Sequence, residues 1–305
     1  MSRQQFTIFD ISSQERQETE AMGTKKKFWL KHSDLGICLY KKCRENTGED
    51  WAEKIAAELC NLIKLPHANY ELAKFNDENG IISPSFLSTK NSTLTTGNEI
   101  LAKLLLNYPK STASPSEHTV DNIFKVFNSS DVLLPMDWTA PKDISKATDV
   151  FIGYLLLDAW IGNSDRHHEN WAFINLQQKS YLAPTYDHAS SLGRTESDEK
   201  RYNRLTTRDE GYTVEAYTNK CKSCLYARVG DTKPLGTFEA FCEAAKLYPK
   251  SANIWLNLLA NVSQDSTLAL FNRIPQERIS PKAIEFAQKI LEINQNRLIE
   301  FSKKI

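Results

Sequence analysis

The feature that most constrains this chain is an apolar stretch that ends in a dense polar cluster. Residues 143–162, DISKATDVFIGYLLLDAWIG, predict a helix that is buried on most sides. The polar residues NSDRHHEN follow, with Asp165 and Asn170 five positions apart. Two short apolar runs, WAFINL and YLAPTYD, then predict a β-hairpin that leads to Asp187. Because a hairpin returns its end close to its start, the sequence predicts that the three polar residues lie together.

These three side chains match the requirements of phosphoryl transfer. The amide of Asn170 and the carboxylate of Asp187 are hard oxygen ligands of the type that Mg²⁺ prefers. Kinases use an Asp that accepts the hydroxyl proton, an Asn five residues later, and a metal-binding Asp beyond a hairpin. The D-x-x-x-x-N spacing is unspecific by itself, but its place between a buried helix and a hairpin favours the kinase hypothesis. This hypothesis requires ATP and Mg²⁺, with Mn²⁺ as an alternative metal.

The segment before the cluster offers the phosphate-binding parts of a kinase. The run GICLYKK predicts a strand that carries Lys41 and Lys42, and only one of them can face the cleft, because side chains alternate along a strand. The helix predicted after it carries Glu53 and Glu58 as candidate partners of that lysine. Gly23 lies before a strand, where a phosphate-covering loop would be expected, although no G-x-G-x-x-G pattern is present.

The order of predicted elements indicates a small β-rich part followed by a larger helical part. The runs KFWLKH, GICLYKK, NYELAKF and GIISPSFL predict strands of an antiparallel sheet with one helix inserted between them. From about residue 97 onward most patterns are helical. The charged stretch at 194–211 is expected to be exposed and mobile.

Composition excludes several classes of function. Lys and Arg together number 38, as do Asp and Glu, so no global charge attracts nucleic acid and no nucleic-acid partner is expected. No apolar run is long enough to span a membrane, and the N-terminal residues lack a signal-peptide core, so a cytoplasmic location is expected. The six cysteines are scattered, and the single CxxC at Cys221 and Cys224 is not assigned a metal or redox role.

The motif GNSDRHHENWAFI, followed by LAPTYDHASSLG, resembles the kinase domain of the HipA-like family, which carries a GN-x-D-x-H-x-x-N loop and an LAP-x-YD segment. The resemblance extends to GEDWAEKIAAELCNLIKLPHANYELA, ISPSFL, HTVDNIF and the final RISPKAIEFAQKILEINQNRL, and it is greatest to the short, single-domain CtkA-like branch. It implies an α+β, bilobal protein-kinase-like fold, with an N-lobe at residues 1–88 and a helical C-lobe at 89–305.

The resemblance also implies a role for each matched position. The catalytic residues are Asp165 as base and His167 as a support of the loop, and the Mg²⁺ ligands are Asn170 and Asp187. The nucleotide-binding residues are Lys41 on its strand, Glu53 on the helix, Met22, Gly23 and Thr24 in the phosphate-covering loop, and Phe86 and Leu87 beside the adenine. The implied activity is transfer of phosphate from ATP to Ser or Thr of a protein, including autophosphorylation.

This chain also departs from the family pattern. It lacks the additional N-terminal subdomain of the longer toxins, so an antitoxin partner is not carried over. Asp187-His188-Ala189 stands where ordinary kinases have Asp-Phe-Gly. Candidate phosphorylation sites follow this segment, at Ser190, Ser191, Thr195 and Ser197.

Three other functions compete with a protein kinase. The DRHxxN motif is shared with phosphatidylinositol kinases, although no basic or amphipathic membrane-facing patch is evident. A pseudokinase or binding module is disfavoured by the intact Asp165, Asn170 and Asp187. A metal hydrolase would use Asp165, His167, His168 and Asp187, and would bind zinc or manganese without a need for ATP.

Overall fold

The structure is a computed structural model that describes residues 4–14, 16–19, 27–87, 91–112 and 114–305. A β-rich sheet forms the N-terminal part, and a mostly helical part follows it, as expected for the α+β class.

The N-terminal sheet has six strands in the order β1-β5-β6-β4-β3-β2. In chain order they are β1 (Ile8–Asp10), β2 (Arg16–Thr19), β3 (Lys27–His32), β4 (Gly36–Lys42), β5 (Glu71–Phe75) and β6 (Glu78–Pro84). Helix α1 (Glu49–Leu62) lies between β4 and β5 in the chain. Alternate residues of β3 and β4, including Phe28, Leu30, Cys38 and Tyr40, are buried in one apolar cluster, as the period-two pattern requires.

The predicted strands and the inserted helix are therefore confirmed, with two differences at the edges of the sheet. Strands β1 and β2 have no counterpart in the sequence-based interpretation. Strand β1 pairs with β5 in parallel, so the sheet is mixed and not wholly antiparallel. Both strands are short, and a run of three or four residues carries too little periodicity to identify a strand.

A second, four-stranded sheet has the order β7-β9-β10-β8. Its strands are β7 (Thr93–Thr96), β8 (Val132–Leu133), β9 (Ala172–Leu176) and β10 (Lys179–Leu182). The predicted hairpin is formed by β9 and β10 and turns through Gln177 and Gln178, both at positive φ (49° and 65°). Two such residues form the turn whose twist matches that of a hairpin. The predicted boundary after residue 88 falls between the two sheets, and the division into lobes there stays a prediction.

The remaining chain is helical. The helices are α2 (Gly97–Leu104), α3 (Val120–Ser129), α4 (Ala147–Ile161), α5 (Asp198–Thr206), α6 (Val214–Asn219), α7 (Thr237–Leu247), α8 (Pro249–Ala260), α9 (Gln264–Phe271) and α10 (Pro281–Ser302). Every residue of α4 except Asp149 is buried, in agreement with its apolar sequence. Gly153 permits close packing there, because a Cβ would lie 2.7 Å from the indole of Trp255.

The charged stretch at 194–211 is largely exposed, as its composition predicted, but it also contains regular structure. It contains α5, which begins after the N-cap Ser197, and Arg201 within it is buried. Arg201 donates a hydrogen bond to Asp198 within the helix and another to the carbonyl of Gly193, which ties the helix to the preceding segment. In the described part of the chain, no helix combines the length and the apolar character needed to cross a membrane.

Candidate active site

The loop between α4 and β9, residues 163–170, is held in one conformation by hydrogen bonds of its own. Helix α4 ends at Gly162, which adopts the left-handed conformation that terminates many helices (φ 66°). The amide of Asn163 donates to Asp158 of α4 at 2.8 Å, and the amide of Asn170 donates to the carbonyl of Asp165 at 2.6 Å. The second bond closes the loop on itself and leaves the Asp165 side chain 45% exposed.

Arg166 anchors this loop from inside. Its guanidinium is fully buried and forms two hydrogen bonds with the Asp158 carboxylate, at 2.7 and 2.9 Å. It also donates to the carbonyl of Asn170 and to Oγ1 of Thr185, which lies beyond the hairpin. A buried charge is stable only when it is paired in this way. One side chain thus joins α4, the loop and the segment that leads to Asp187.

The segment that contains Asp187 is fixed against the N-terminal sheet and its helix. The N–H of Thr185 donates to the carbonyl of Pro66, and the N–H of Ala68 donates to the carbonyl of Thr185. The N–H of Asp187 donates to the Tyr70 hydroxyl at 3.1 Å. Asp187 itself has a φ of 60°, a left-handed conformation that Asp tolerates better than most residues. The Tyr186 hydroxyl donates to the carbonyl of Glu169, and Asp187 lines the same cavity as Asn170, so the segment after the hairpin lies beside the loop, as the sequence predicted.

Strand β4 directs Lys41, and not Lys42, towards Asp187. Lys41 Nζ lies 3.2 Å from Asp187 Oδ2, whereas Lys42 pairs with Glu78 on the neighbouring strand. Burial opposes the charged form of Lys41, but the carboxylates of Asp187 and Glu53 outweigh it and raise the pKa of the ammonium. The alternation along the strand thus decides which lysine enters the cleft.

Helix α1 directs Glu53, and not Glu58, into the same region. Glu58 forms an ion pair with Lys54, while the buried Glu53 accepts hydrogen bonds from the N–H groups of His188 (2.6 Å) and Ala189 (3.1 Å). Among the ion pairs of the described residues, none joins Glu53 directly to Lys41. Glu53 therefore holds the backbone that follows Asp187, which differs from the direct Lys–Glu pair that the kinase pattern implies.

Lys41 and Asp187 line one cavity of about 280 Å³, slightly below the usual range for small-molecule sites of roughly 300–1,000 Å³. Its polar side includes Lys41, Asn170 and Asp187, as well as His167 and Glu169. Its apolar side includes Trp29, Leu39, Phe86, Leu87, Leu94 and Tyr186. The rings of Phe86 and Tyr186 are stacked with centroids 5.7 Å apart. One polar and one apolar side suit a ligand that has both a charged and a flat apolar part.

Most of the sequence-predicted site residues meet here. Phe86 and Leu87 line the cavity with Lys41, His167, Asn170 and Asp187, Glu53 lies directly behind Asp187, and Asp165 belongs to the same loop as His167 and Asn170. Met22, Gly23 and Thr24 lie outside the described residues. The roles given to all these residues stay predictions.

The two histidines of the loop differ in environment. His167 Nε2 lies 4.0 Å from Asp165 Oδ1, and its Nδ1 accepts a hydrogen bond from the N–H of Glu169. His168 is buried and hydrogen-bonds the Tyr108 hydroxyl at 2.8 Å. Burial, with a smaller effect of His167, lowers the pKa of His168 to about 4. His168 is therefore a neutral structural residue.

A metal-hydrolase site finds no support in this arrangement. Within the ranges that the structure describes, no three His, Cys, Asp or Glu side chains are grouped to hold a metal ion. An Mg²⁺ site of the kinase type needs fewer protein ligands, because phosphate oxygens and water complete the coordination. The carboxylate of Asp187 and the amide oxygen of Asn170 fit that donor set, since the Asn170 nitrogen is used in the bond to Asp165.

The sequence interpretation missed the buried groups that hold the site. Asp158, Arg166, Thr185, His188 and Tyr70 form its support and were not singled out. One signal was available, because Asp158 interrupts the otherwise apolar LLLDAW. A carboxylate in a fully buried helix requires a buried partner, and Arg166 is that partner.

Comparisons with known proteins concern the fold of the chain. No family model and no curated protein matches the sequence. The crystal structure of the proinflammatory kinase CtkA of Helicobacter pylori is similar with a TM-score of 0.74 and 17% identity, over 97% of this chain and 100% of the other. HipA of Shewanella oneidensis MR-1, solved with HipB and operator DNA, is similar with a TM-score of 0.54 and 10% identity, over 94% of this chain and 67% of the other. The chain thus has the fold of the HipA-like kinases, as its sequence motifs predicted.

Proposed function

We propose that this protein is an ATP-dependent phosphotransferase, and that its acceptor is a Ser or Thr hydroxyl of a protein. One observation carries the proposal above the others. Lys41 and Asp187 are in contact at the polar side of a cavity that Asn170 also lines, and Asp165 lies in the same loop with a half-exposed carboxylate. A cation for phosphates, two oxygen ligands for a metal and an accessible base are groups that phosphoryl transfer uses.

Asn170 and Asp187 would hold Mg²⁺, or Mn²⁺ in its place. When bound, the metal supplies charge neutralisation on the nucleotide phosphates. Lys41 remains an ammonium, because the neighbouring carboxylates raise its pKa, and it is therefore suited to bind the phosphate oxygens. Glu53 would act indirectly. It accepts hydrogen bonds from the backbone N–H groups of His188 and Ala189 and thereby fixes the orientation of Asp187.

Asp165 would orient the acceptor and receive its proton. The hydroxyl oxygen of the acceptor attacks the γ-phosphorus while the bond from that phosphorus to the β–γ bridging oxygen breaks. The bridging oxygen keeps the bonding electron pair and leaves as part of ADP, and the hydroxyl proton passes to the Asp165 carboxylate. Most of the catalytic effect in such a reaction comes from positioning and charge stabilisation, and the buried contacts of the loop would support the positioning of Asp165 and Asn170.

Incubation with ATP and Mg²⁺ tests this function most directly. Purified protein is mixed with labelled ATP and, in parallel, with a protein mixture, with vesicles that contain phosphatidylinositol, or with no acceptor. We expect label in protein, and an increase in the intact mass of the chain by whole phosphoryl groups if Ser190, Ser191, Thr195 or Ser197 is autophosphorylated. Label in lipid alone would identify a lipid kinase. Nucleotide binding without transfer to any acceptor would contradict the proposed activity.

A further inference from the structure

A second cavity, of about 430 Å³, is lined in part by Ser164 of the loop that carries Asp165. It is formed by the end of α4, by the segment after Asp187 and by the region around α6. Four cationic side chains line it, those of Arg194, Arg204, Lys220 and Lys222, and none of its described lining residues is acidic. The whole chain has equal numbers of acidic and basic residues, so this is a local concentration of positive charge.

Two of the four cations have carboxylate partners just outside the cavity. Arg194 Nη1 lies 3.1 Å from Glu49, and Arg204 Nε lies 2.9 Å from Glu196. The Nε of Arg194 is buried and has no hydrogen-bond partner among the described atoms. Both guanidiniums are largely buried, with 12% and 15% of the side chain exposed. They are therefore paired at the cavity wall and mostly shielded from solvent.

The charges of the two lysines, Lys220 and Lys222, are neutralised less by neighbouring carboxylates than those of the two arginines. Lys220 Nζ contacts the carbonyl of Gly211 at 3.3 Å, and no ion pair of Lys220 or Lys222 occurs within the described ranges. The cavity thus keeps a positive charge that its own wall does not cancel. A concave site lined by one sign of charge attracts a ligand of the opposite sign more strongly than a flat surface does.

Ser190 connects this cavity to Asp165. Its Oγ lies 3.4 Å from Asp165 Oδ2 and accepts a hydrogen bond from Arg194 at 2.8 Å. The N–H of Ser164 donates to the Ser190 carbonyl at 3.0 Å, and both serines line the cavity. His167, two residues after Asp165, lines the cavity that contains Lys41. Asp165 thus lies in the sequence between Ser164, which lines the basic cavity, and His167, which lines the cavity that contains Lys41.

We propose that the basic cavity is an acceptor-recognition subsite, which binds an Asp or Glu side chain close to the target hydroxyl of a polypeptide substrate. This inference rests on the proposed function, because it takes Asp165 as the group that receives the hydroxyl. A polypeptide that presents its hydroxyl to Asp165 places neighbouring residues at Ser190 and Ser164, which open into this cavity. A carboxylate there pairs with Lys220 and Lys222 and accepts hydrogen bonds from the fixed arginines.

Direct binding of matched peptides to the full chain tests the subsite without any need for catalysis. One fluorescent peptide carries a Ser flanked by Asp and Glu, and the other carries Asn and Gln at the same positions. We expect the acidic peptide to bind about tenfold more tightly, and the difference to shrink as salt is added. Equal binding of the two peptides would overturn the proposal.

Reversing the charges of Lys220 and Lys222 tests whether these residues cause the preference for the acidic peptide. In Lys220→Glu/Lys222→Glu we expect the preference for the acidic peptide to disappear, because two attractive contacts become repulsive. The control Lys250→Glu/Lys304→Glu makes the same change of charge at exposed positions that do not line the cavity, and it should keep the preference. A similar loss in both variants would indicate a nonspecific charge effect and overturn the assignment. A phosphoserine peptide that binds far more tightly than the carboxylate peptide would instead identify a phosphate site.

Transfer assays separate this proposal from the proposed function. Equal KM values for the acidic and neutral peptides in an active enzyme would remove the subsite and leave the phosphotransferase intact. Selective binding of the acidic peptide by a protein that transfers no phosphate to any acceptor would leave the binding site intact and remove the phosphotransferase.

Discussion

The loop at residues 163–170 has two faces with different environments. The side chains of one face are buried, although Asn170 among them also lines the cavity of Lys41, and the side chains of the other face are more exposed. The buried side chains belong to Asn163, Arg166, His168 and Asn170, and the more exposed ones belong to Ser164, Asp165, His167 and Glu169. The buried bonds to Asp158, Thr185 and Tyr108 are made by side chains of the first group, and the residue assigned to receive a proton lies in the second.

Because of this difference, substitutions on the two faces should affect different properties of the protein. A side chain whose contacts are buried contributes to the free energy of unfolding, since its removal leaves a polar partner unsatisfied. A half-exposed carboxylate contributes little to stability, so its loss changes the reaction alone. Substitutions of Asp165 and of Arg166 should therefore have opposite signatures, in activity for Asp165 and in stability for Arg166.

The largest expected effect is on activity and concerns the exposed face. Asp165→Ala should lower the rate of phosphoryl transfer about 10²- to 10⁴-fold, the range for loss of a general base. Nucleotide affinity and the melting temperature should stay close to those of the wild type. The exposed Asp265→Ala on α9 is a matched control that should retain full activity. Normal turnover by Asp165→Ala would remove Asp165 from the mechanism.

The buried face should show the reverse signature. Arg166→Met leaves the Asp158 carboxylate buried without its partner, and the free energy of unfolding should fall by about 3–5 kcal/mol in urea denaturation. Asp158→Leu/Arg166→Met removes both charges and should be more stable than the single variant. A single variant within about 1 kcal/mol of the wild type would show that this ion pair does not hold the loop.

Lys41 and Lys42, which are adjacent on β4, test the role of the cavity in nucleotide binding, with a smaller expected effect. Lys41→Met should weaken binding of Mg-ATP about 10- to 100-fold, which corresponds to about 1.5–3 kcal/mol for a bond to a charged group. Lys42→Met removes the same charge on the other face of the strand, where Lys42 pairs with Glu78, and should leave affinity unchanged. Asp187→Ala should weaken Mg-ATP binding as well. Calorimetric titration measures all three, and equal effects of the two lysine variants would disprove the assignment of Lys41.

The smallest expected effect is on the pH dependence of the unfolding free energy, and it concerns the buried His118. Burial lowers the pKa of His118 to about 3, and its ring contacts the Cys224 carbonyl and the Trp171 indole. The unfolded chain therefore binds a proton that the folded protein does not, and stability falls as pH drops from about 6.5 towards 3. His118→Gln should lessen this dependence by as much as one proton, about 1.4 kcal/mol per pH unit. An unchanged slope of the unfolding free energy against pH would contradict this account.

The fold was predictable where the sequence periodicity is long. The apolar run of α4, the pattern of β3 and β4, and the hairpin around Gln177 and Gln178 are local signals, and the structure confirms them. Strand β1 was not predictable, because its three residues are defined only by pairing with β5, more than sixty positions away. Helix α5 was missed because its charged composition hides the few contacts, such as those of Arg201, that fix it.

The positions of the candidate site were predictable to a smaller extent. The order Asp165, Asn170, hairpin, Asp187 predicted which groups would meet, and Lys41 and Asp187 do meet. The sequence left Lys42 and Glu58 as alternatives, and packing decided between them. The bond from Glu53 to the backbone after Asp187 could not be predicted, because a main-chain N–H has no signature in the sequence.

The sequence by itself determined which charged and amide groups this protein has, in which order they occur, and on which local elements they lie. These properties follow from local periodicity and from turn geometry, which act over a few residues. Only the tertiary structure decided which face of each element turns inward and which charges neutralise one another, because burial and ion pairing depend on groups far apart in the chain. The positive charge left in the second cavity is such a property, since it depends on which of four cations found a partner.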